Sequence, residues 1–199
     1  LRWSFVHLQD EDTNESNHGL LNDKRGGSVY LRLTTRRVPQ LQRQIDSDIE
    51  TKIIDGGYWL RPPAPGARLS IAYVGAVGPE ALSAHMAIIN RFPGAGLLAV
   101  TSPDRLHRGW LAAQRQRQIT PDGPKSPIER LLASLETSSQ IVTVVDGHPS
   151  ILSWIGAVYG HPVRALGVER YGESGSLTEL YEAYCLDTDS IVKACTQAH

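Results

Sequence analysis

The chain is poor in what most catalytic and secreted scaffolds need. It has only two cysteines, Cys185 and Cys195, ten residues apart. Two thiols at that spacing are neither a disulfide framework nor a metal signature. They read as ordinary helix-packing cysteines of a reduced, cytoplasmic protein. No apolar run approaches the roughly 18 residues of a membrane span. Residues 1–9 (LRWSFVHLQ) lack the basic start and long apolar block of a signal peptide. The formal net charge is only -1. No global field draws the chain to nucleic acid or anionic lipid, and neither is an expected partner. HExxH, CxxC and a spaced histidine pair are missing, so no metal ligands and no catalytic residue can be named.

What is present is a good core supply. The chain has 199 residues, 41% of them hydrophobic, enough for one ordinary domain and some extra. Residues 1–9 carry Leu1, Phe5 and Leu8 on one helical face. Residues 10–27 are polar and glycine-bearing, a loop. Val29 to Leu33 alternates and branches like a strand, then runs into Thr34, Thr35, Arg36, Arg37 and a proline. The basic group Arg32, Arg36, Arg37 and Arg43 reads as a solvated face. Val38 to Glu50 shows no clear core, and residues 51–60 (TKIIDGGYWL) read as two short strand pieces around a Gly-Gly break. Residues 61–68 (RPPAPGAR) hold three prolines and read as a stiff linker and domain boundary.

Beyond the prolines the pattern becomes regular. Strands are expected at Leu69 to Val74, Gly96 to Val100, Ile141 to Val145 and Val163 to Val168. Helices are expected from Pro79 to Arg91, after the capping sequence Thr101 to Asp104 as far as Gln116, and at 128–135, 150–159, 177–184 and 188–196. Strands alternating with helices imply right-handed crossovers and a mostly parallel sheet covered on both faces. The expected class is therefore α/β, a three-layer α/β/α domain.

Two places could carry chemistry. Gly75 and Gly78 lie between a strand and a helix, where free amides can hold an anion. The Rossmann and P-loop patterns are incomplete there, and Pro79 removes an amide, so a tight turn is the plainer reading. Asp146-Gly147-His148 follows the third of these strands, where open α/β sheets place ligands. Asp146 and His148 could form an acid–base pair, or Asp146 could simply cap the next helix. Ser174, in Gly172-Glu-Ser-Gly175, falls short of a nucleophile elbow. His85 and His107 read as surface or packed histidines. The four tryptophans (Trp3, Trp59, Trp110, Trp154) are too scattered for a nucleic-acid platform and read as core or interface.

The order of several segments carries a resemblance. GGSVYLRLTTRRVPQ, ending at Gln40, resembles the end of the pyrimidine-binding domain in homodimeric pyruvate dehydrogenases, the decarboxylating thiamine diphosphate-dependent component. IIDGGYWLR (53–61) is similar to the family's lead into its C-terminal domain. LSIAYVGAVGPEAL (69–82), LLAVTSPDRLHRGW (97–110), IVTVVDGHPSIL (141–152) and ALGVERYGESGSLTELYEAYCLD (165–187) resemble successive parts of the transketolase-type C-terminal domain. Departures gather in the last of these. Val168-Glu169 stands for a Thr-Asp pair, Gly175 for an Asp, Leu177 for an Arg, and Glu182 and Ala183 for two histidines.

The resemblance implies that residues 1–40 are the tail of a pyrimidine-binding domain, 41–68 a linker, and 69–199 the C-terminal domain. The absence of an initial Met fits a fragment. The parent would be a homodimer using thiamine diphosphate and Mg²⁺ to decarboxylate a 2-oxo acid and pass the acyl group to a lipoyl-bearing acyltransferase component. Its cofactor would lie between domains that precede this chain. The fragment would serve dimer packing and the active-site rim, and alone would bind no cofactor and show no activity. Transketolase, with ketol transfer, is the rival enzyme. A stand-alone α/β binding module using the Gly75 and Asp146 turns, or an assembly subunit, is the rival of another class.

Overall fold

Helix formation begins where the sequence offers little hydrophobic signal. In the computed structural model, which describes Ser4 and residues 29–39, 44–170 and 172–197, helix α1 spans Ser47–Asp55. Asp46 caps it, accepting the Ile49 amide at 2.8 Å. Gly56 ends it with φ at +117°, a left-handed C-cap that suits glycine. A Cβ at Gly56 would come within 2.8 Å of both Leu106 Cγ and the Ser102 carbonyl. The reading of residues 51–60 as two strand pieces is therefore half corrected. Ile53 and Ile54 end a helix, and only β1, Gly57–Arg61, is a strand.

The remaining elements are β2 (Leu69–Val74), a 3₁₀ turn (Gly75–Val77), α2 (Gly78–Ile88), β3 (Gly96–Val100), α3 (Pro103–Ile119), α4 (Pro127–Leu132) and β4 (Gln140–Val145). Then come α5 (Ser150–Ser153), passing into a 3₁₀ turn (Trp154–Val158), β5 (Val163–Leu166), α6 (Leu177–Ala183) and α7 (Thr188–Thr196). Ser126 and Ser176 open α4 and α6 with capping boxes to Glu129 and Glu179. At α3 the expected cap is corrected. The Ser102 hydroxyl bonds the Asp104 carboxylate at 2.8 Å and makes no cap bond to the helix.

One five-stranded sheet results, in the order β1-β3-β2-β4-β5. Strands β2 to β5 are parallel, and β1 lies antiparallel to β3 with Gly57 opposite Val100. The expected α/β/α class holds. Residues 62–68 turn between two strands of the same sheet, so the prolines do not separate β1 from the unit that follows.

Each central strand is apolar on both sides, as a doubly covered parallel strand must be. On one face Leu69, Ile71, Leu97, Val142 and Val144 meet α2 and α7 through Ala81, Ala84, Ile88, Ile191 and Ala194. On the other, Ala72, Leu98, Val100, Ile141 and Val145 meet Leu106, Trp110, Ile128, Leu132, Leu152 and Ile155. Tryptophans serve this second layer. Trp110 and Trp154 stack at 5.6 Å, and the Trp59 indole donates to the Leu131 carbonyl at 3.0 Å. His107 lies 4.7 Å from the Trp154 ring, and His85 is buried against the Ala95 carbonyl at 2.8 Å. Cys195 is buried in the first core, and burial pushes its thiol up to about 12. Cys185 is exposed, with φ at +56° just past α6, and does not pack as expected.

The expected strand Val29 to Leu33 is not one. Residues 29–34 carry no regular secondary structure and no strand pairing. Alternation says which side chains share a face, but it supplies no neighbour to bond to. The expected helix at 1–9, except Ser4, and the loop at 10–27, with Trp3 and Gln40, lie outside the described residues.

His161 is a buried titratable group off the main cores. It is 5% exposed, and neither ring nitrogen completes a hydrogen bond among the described residues. Burial outweighs the pull of the Ser139 and Thr137 backbone and leaves its pKa below the ordinary value. A lowered histidine pKa means that the unfolded chain takes up the proton first. Stability is thus complete above the ordinary histidine pKa and declines as pH falls below it. Melting temperatures should drop as pH falls below about 6.5, the ordinary histidine value. His161→Phe should flatten that slope, and an unchanged slope would remove His161 as its cause.

Candidate functional site

The chain crosses over the sheet between β3 and β4, so strand order reverses between β2 and β4. A crevice at the carboxyl ends of the two strands is the place where such sheets take ligands. Both candidate turns lie there. Gly75 follows β2 with φ at +81°, and a Cβ on it would sit 3.6 Å from Asp146 Cβ. Gly78 starts α2 against Tyr73, whose Cε2 would be 3.0 Å from an added Cβ. The fold therefore brings Gly75 and Asp146 together.

Among the described residues no hydrogen bond or ion pair joins Asp146 to His148. His148 is exposed, and its Nδ1 accepts the Ser150 amide at 3.2 Å and lies 2.7 Å from the Ser150 hydroxyl. Asp146 faces Arg32 instead, at 3.9 Å. Pro149, and not Asp146, holds the N-cap position of α5. The loop after β5 presses on the same turn. The Val168 amide donates to the Gly147 carbonyl at 2.7 Å, and a Cβ at Gly167 would come within 2.6 Å of that oxygen.

The basic cluster is corrected at Arg36. Its side chain is 23% exposed and its guanidinium enters the crevice. It donates to both Glu80 oxygens at 2.6 and 3.0 Å, to the Ala76 carbonyl at 3.1 Å and to the Tyr181 hydroxyl at 3.4 Å. The Glu80 hydrogen bonds raise the pKa of Arg36 further, so its charge is permanent. Burial, with the Asp146 charge, raises the Tyr181 hydroxyl above its ordinary value. Beside this contact a recess of about 220 Å³ is lined by Arg36, Glu80, Leu177, Thr178, Tyr181, Asp187 and Thr188. Sequence reasoning missed Glu80 and Tyr181, which no motif marks. The arginine run was the available signal for Arg36.

A larger groove of about 620 Å³ lies along edge strand β1, between Lys52, Asp55, Trp59, Arg61 and Arg130. Among the described residues no three or more His, Cys, Asp or Glu side chains gather where they could hold a metal ion. The glycine turn lacks the Pro79 amide, and Arg36 pairs with Glu80 beside it. Among the described residues no helix is long and apolar enough to cross a membrane.

No protein-family model and no curated protein sequence matches the chain. Solved structures do. Transketolase from Pichia stipitis in complex with sedoheptulose 7-phosphate is 21% identical, with a TM-score of 0.54 over 80% of this chain and 20% of that one. A xylulose 5-phosphate complex from the same organism gives the same values. Transketolase from Leishmania mexicana is 18% identical over 74% of this chain and 18% of that one, with a TM-score of 0.48. The chain thus spans about a fifth of the length of these transketolases. The class defined is a transketolase-like α/β fold.

Proposed function

We propose that this chain is the C-terminal part of a thiamine diphosphate-dependent enzyme of the pyruvate dehydrogenase type. The parent decarboxylates a 2-oxo acid and acylates a lipoyl group carried by a partner component. Residues 1–40 are the tail of its pyrimidine-binding domain, and the C-terminal domain takes in α1 and β1. That domain packs subunits together in a homodimer and forms part of the active-site rim. Thiamine diphosphate and Mg²⁺ belong to the preceding domains.

The observation that carries this reading is the transketolase-like fold over the segments that resemble the family in sequence order. Transketolase activity is the second reading, favoured by the transketolase identity of the solved structures with this fold.

The deciding experiment uses the full reading frame. It should continue upstream of Leu1 into a Gly-Asp-Gly segment with a downstream Asn, then a domain carrying the activating Glu. The full-length protein with thiamine diphosphate and Mg²⁺ should release CO₂ from pyruvate and acylate a lipoyl domain. Ketol transfer between sugar phosphates, without that reaction, would establish the second reading. A frame that opens at Leu1, with neither activity, would overturn both.

A further inference from the structure

The guanidinium of Arg36 lies in a receptor built by residues far along the chain. Glu80 and Ala76 are 44 and 40 positions away, and Tyr181 is 145 away. The receptor matches the shape of the group. Glu80 meets two of its N–H donors in a fork, the Ala76 carbonyl takes a third direction, and the Tyr181 ring lies below it, with Cζ 5.4 Å from the ring centre. A forked carboxylate and an aromatic face together select arginine over lysine, whose ammonium is a compact charge with no plane to stack. The pair is well shielded, with Glu80 at 15% side-chain exposure.

The rest of the arm has little else to hold it. Tyr30 and Leu33 are 88% and 77% exposed, and Leu31 is exposed too. Residues 29–34 join no sheet. The second ionic contact, Arg32 to Asp146, is 3.9 Å long with Arg32 57% exposed, a geometry that salt and solvent screen.

We propose that the switch-point crevice is an arginine receptor and that Arg36 is a latch. It fixes the arm at 29–39 to the domain, and with it the position of whatever precedes the arm. The inference goes beyond the proposed function, because the latch is independent of which reaction the parent performs. Glu80 on α2 and Tyr181 on α6 are its jaws, so the two helices are tied through an arginine that belongs to neither.

Trypsin tests it on the full chain, because Arg37 next to the latch is exposed and offers a cleavable bond to Val38. Cleavage after the exposed Arg108 in α3 reports general unfolding. Relative to that control, Arg36→Ala and Glu80→Gln should each speed cleavage after Arg37 by about fivefold or more. Arg36→Lys should give an intermediate rate. A synthetic peptide of residues 28–40 should bind the Arg36→Ala chain and should fail to bind a chain that also carries Glu80→Gln. Cleavage within about twofold of wild type in both single variants would overturn the latch. Protection of the Arg36→Lys chain equal to that of wild type would overturn the arginine selectivity.

Discussion

Gly156→Ala is expected to destabilise the fold by at least about 3 kcal/mol. The added Cβ would stand 2.4 Å from the His161 carbonyl oxygen and 2.5 Å from Val163 Cγ2. Neither atom can move cheaply. The loop is drawn onto Gly156 because its carbonyl accepts the amides of Gly160 at 2.8 Å and His161 at 3.0 Å. Val163 begins β5, whose pairing with Ile141 fixes its backbone. Either β5 shifts and strains the parallel ladder, or the turn opens and the Gly160 and His161 amides lose their acceptor. Urea unfolding measures the effect. Gly160→Ala is the control, because open space surrounds an added Cβ there and only its φ of +80° resists the change. A Gly156→Ala loss no larger than the control's would disprove the collision.

Glu129→Ala is expected to cost about 3 kcal/mol. The Glu129 side chain is 8% exposed, and its carboxylate joins two parts of the outer layer. It accepts the Ser126 amide and hydroxyl at 2.7 Å each, closing the cap of α4, and Arg117 of α3 at 2.5 Å. Alanine removes the cap partner and leaves Arg117 with an unmatched charge. Arg117 is 27% exposed, so water softens the loss, and the figure lies at the low end for a broken buried pair. Glu129→Gln keeps the size and part of the cap, and should cost roughly half as much. Burial pushes the Glu129 carboxyl up, but the Ser126 hydrogen bonds and Arg117 outweigh it and hold it below the ordinary value. Its stabilisation is therefore complete above the ordinary carboxylate pKa and is lost as pH falls through the lower folded value. Acid unfolding of Glu129→Gln should lack that component. A loss below about 1 kcal/mol for Glu129→Ala would show that the pair matters little.

The parts of the fold legible in sequence were those that carry their own reason. Gly96 to Val100 is apolar throughout because helices cover both faces, and Leu69 to Val74 is apolar but for Ser70; both strands occur where expected. Helix α1 was invisible because it buries no side chain completely, and its stability comes from Asp46 and Gly56 at its ends. Val29 to Leu33 misled for the opposite reason. Its pattern suits a strand, but no neighbouring strand pairs with it. At the site, the two turns were found through their residue types and their position after strands. The Arg36 receptor was not, because its pieces come from two widely separated segments and converge only after folding. Asp146 and His148 show the same limit from the other side, since two residues of spacing did not make them partners.

The antiparallel strand β1 bears on how the molecule can be dissected. The prolines at 62, 63 and 65 invite a cut, yet β1 lies on their far side and covers the flank of β3. A piece beginning at Leu69 would leave an apolar β3 with a row of bare amides and carbonyls, the template on which chains aggregate. The smallest piece that keeps its own border begins at Asp46, where the α1 cap closes the end of the unit.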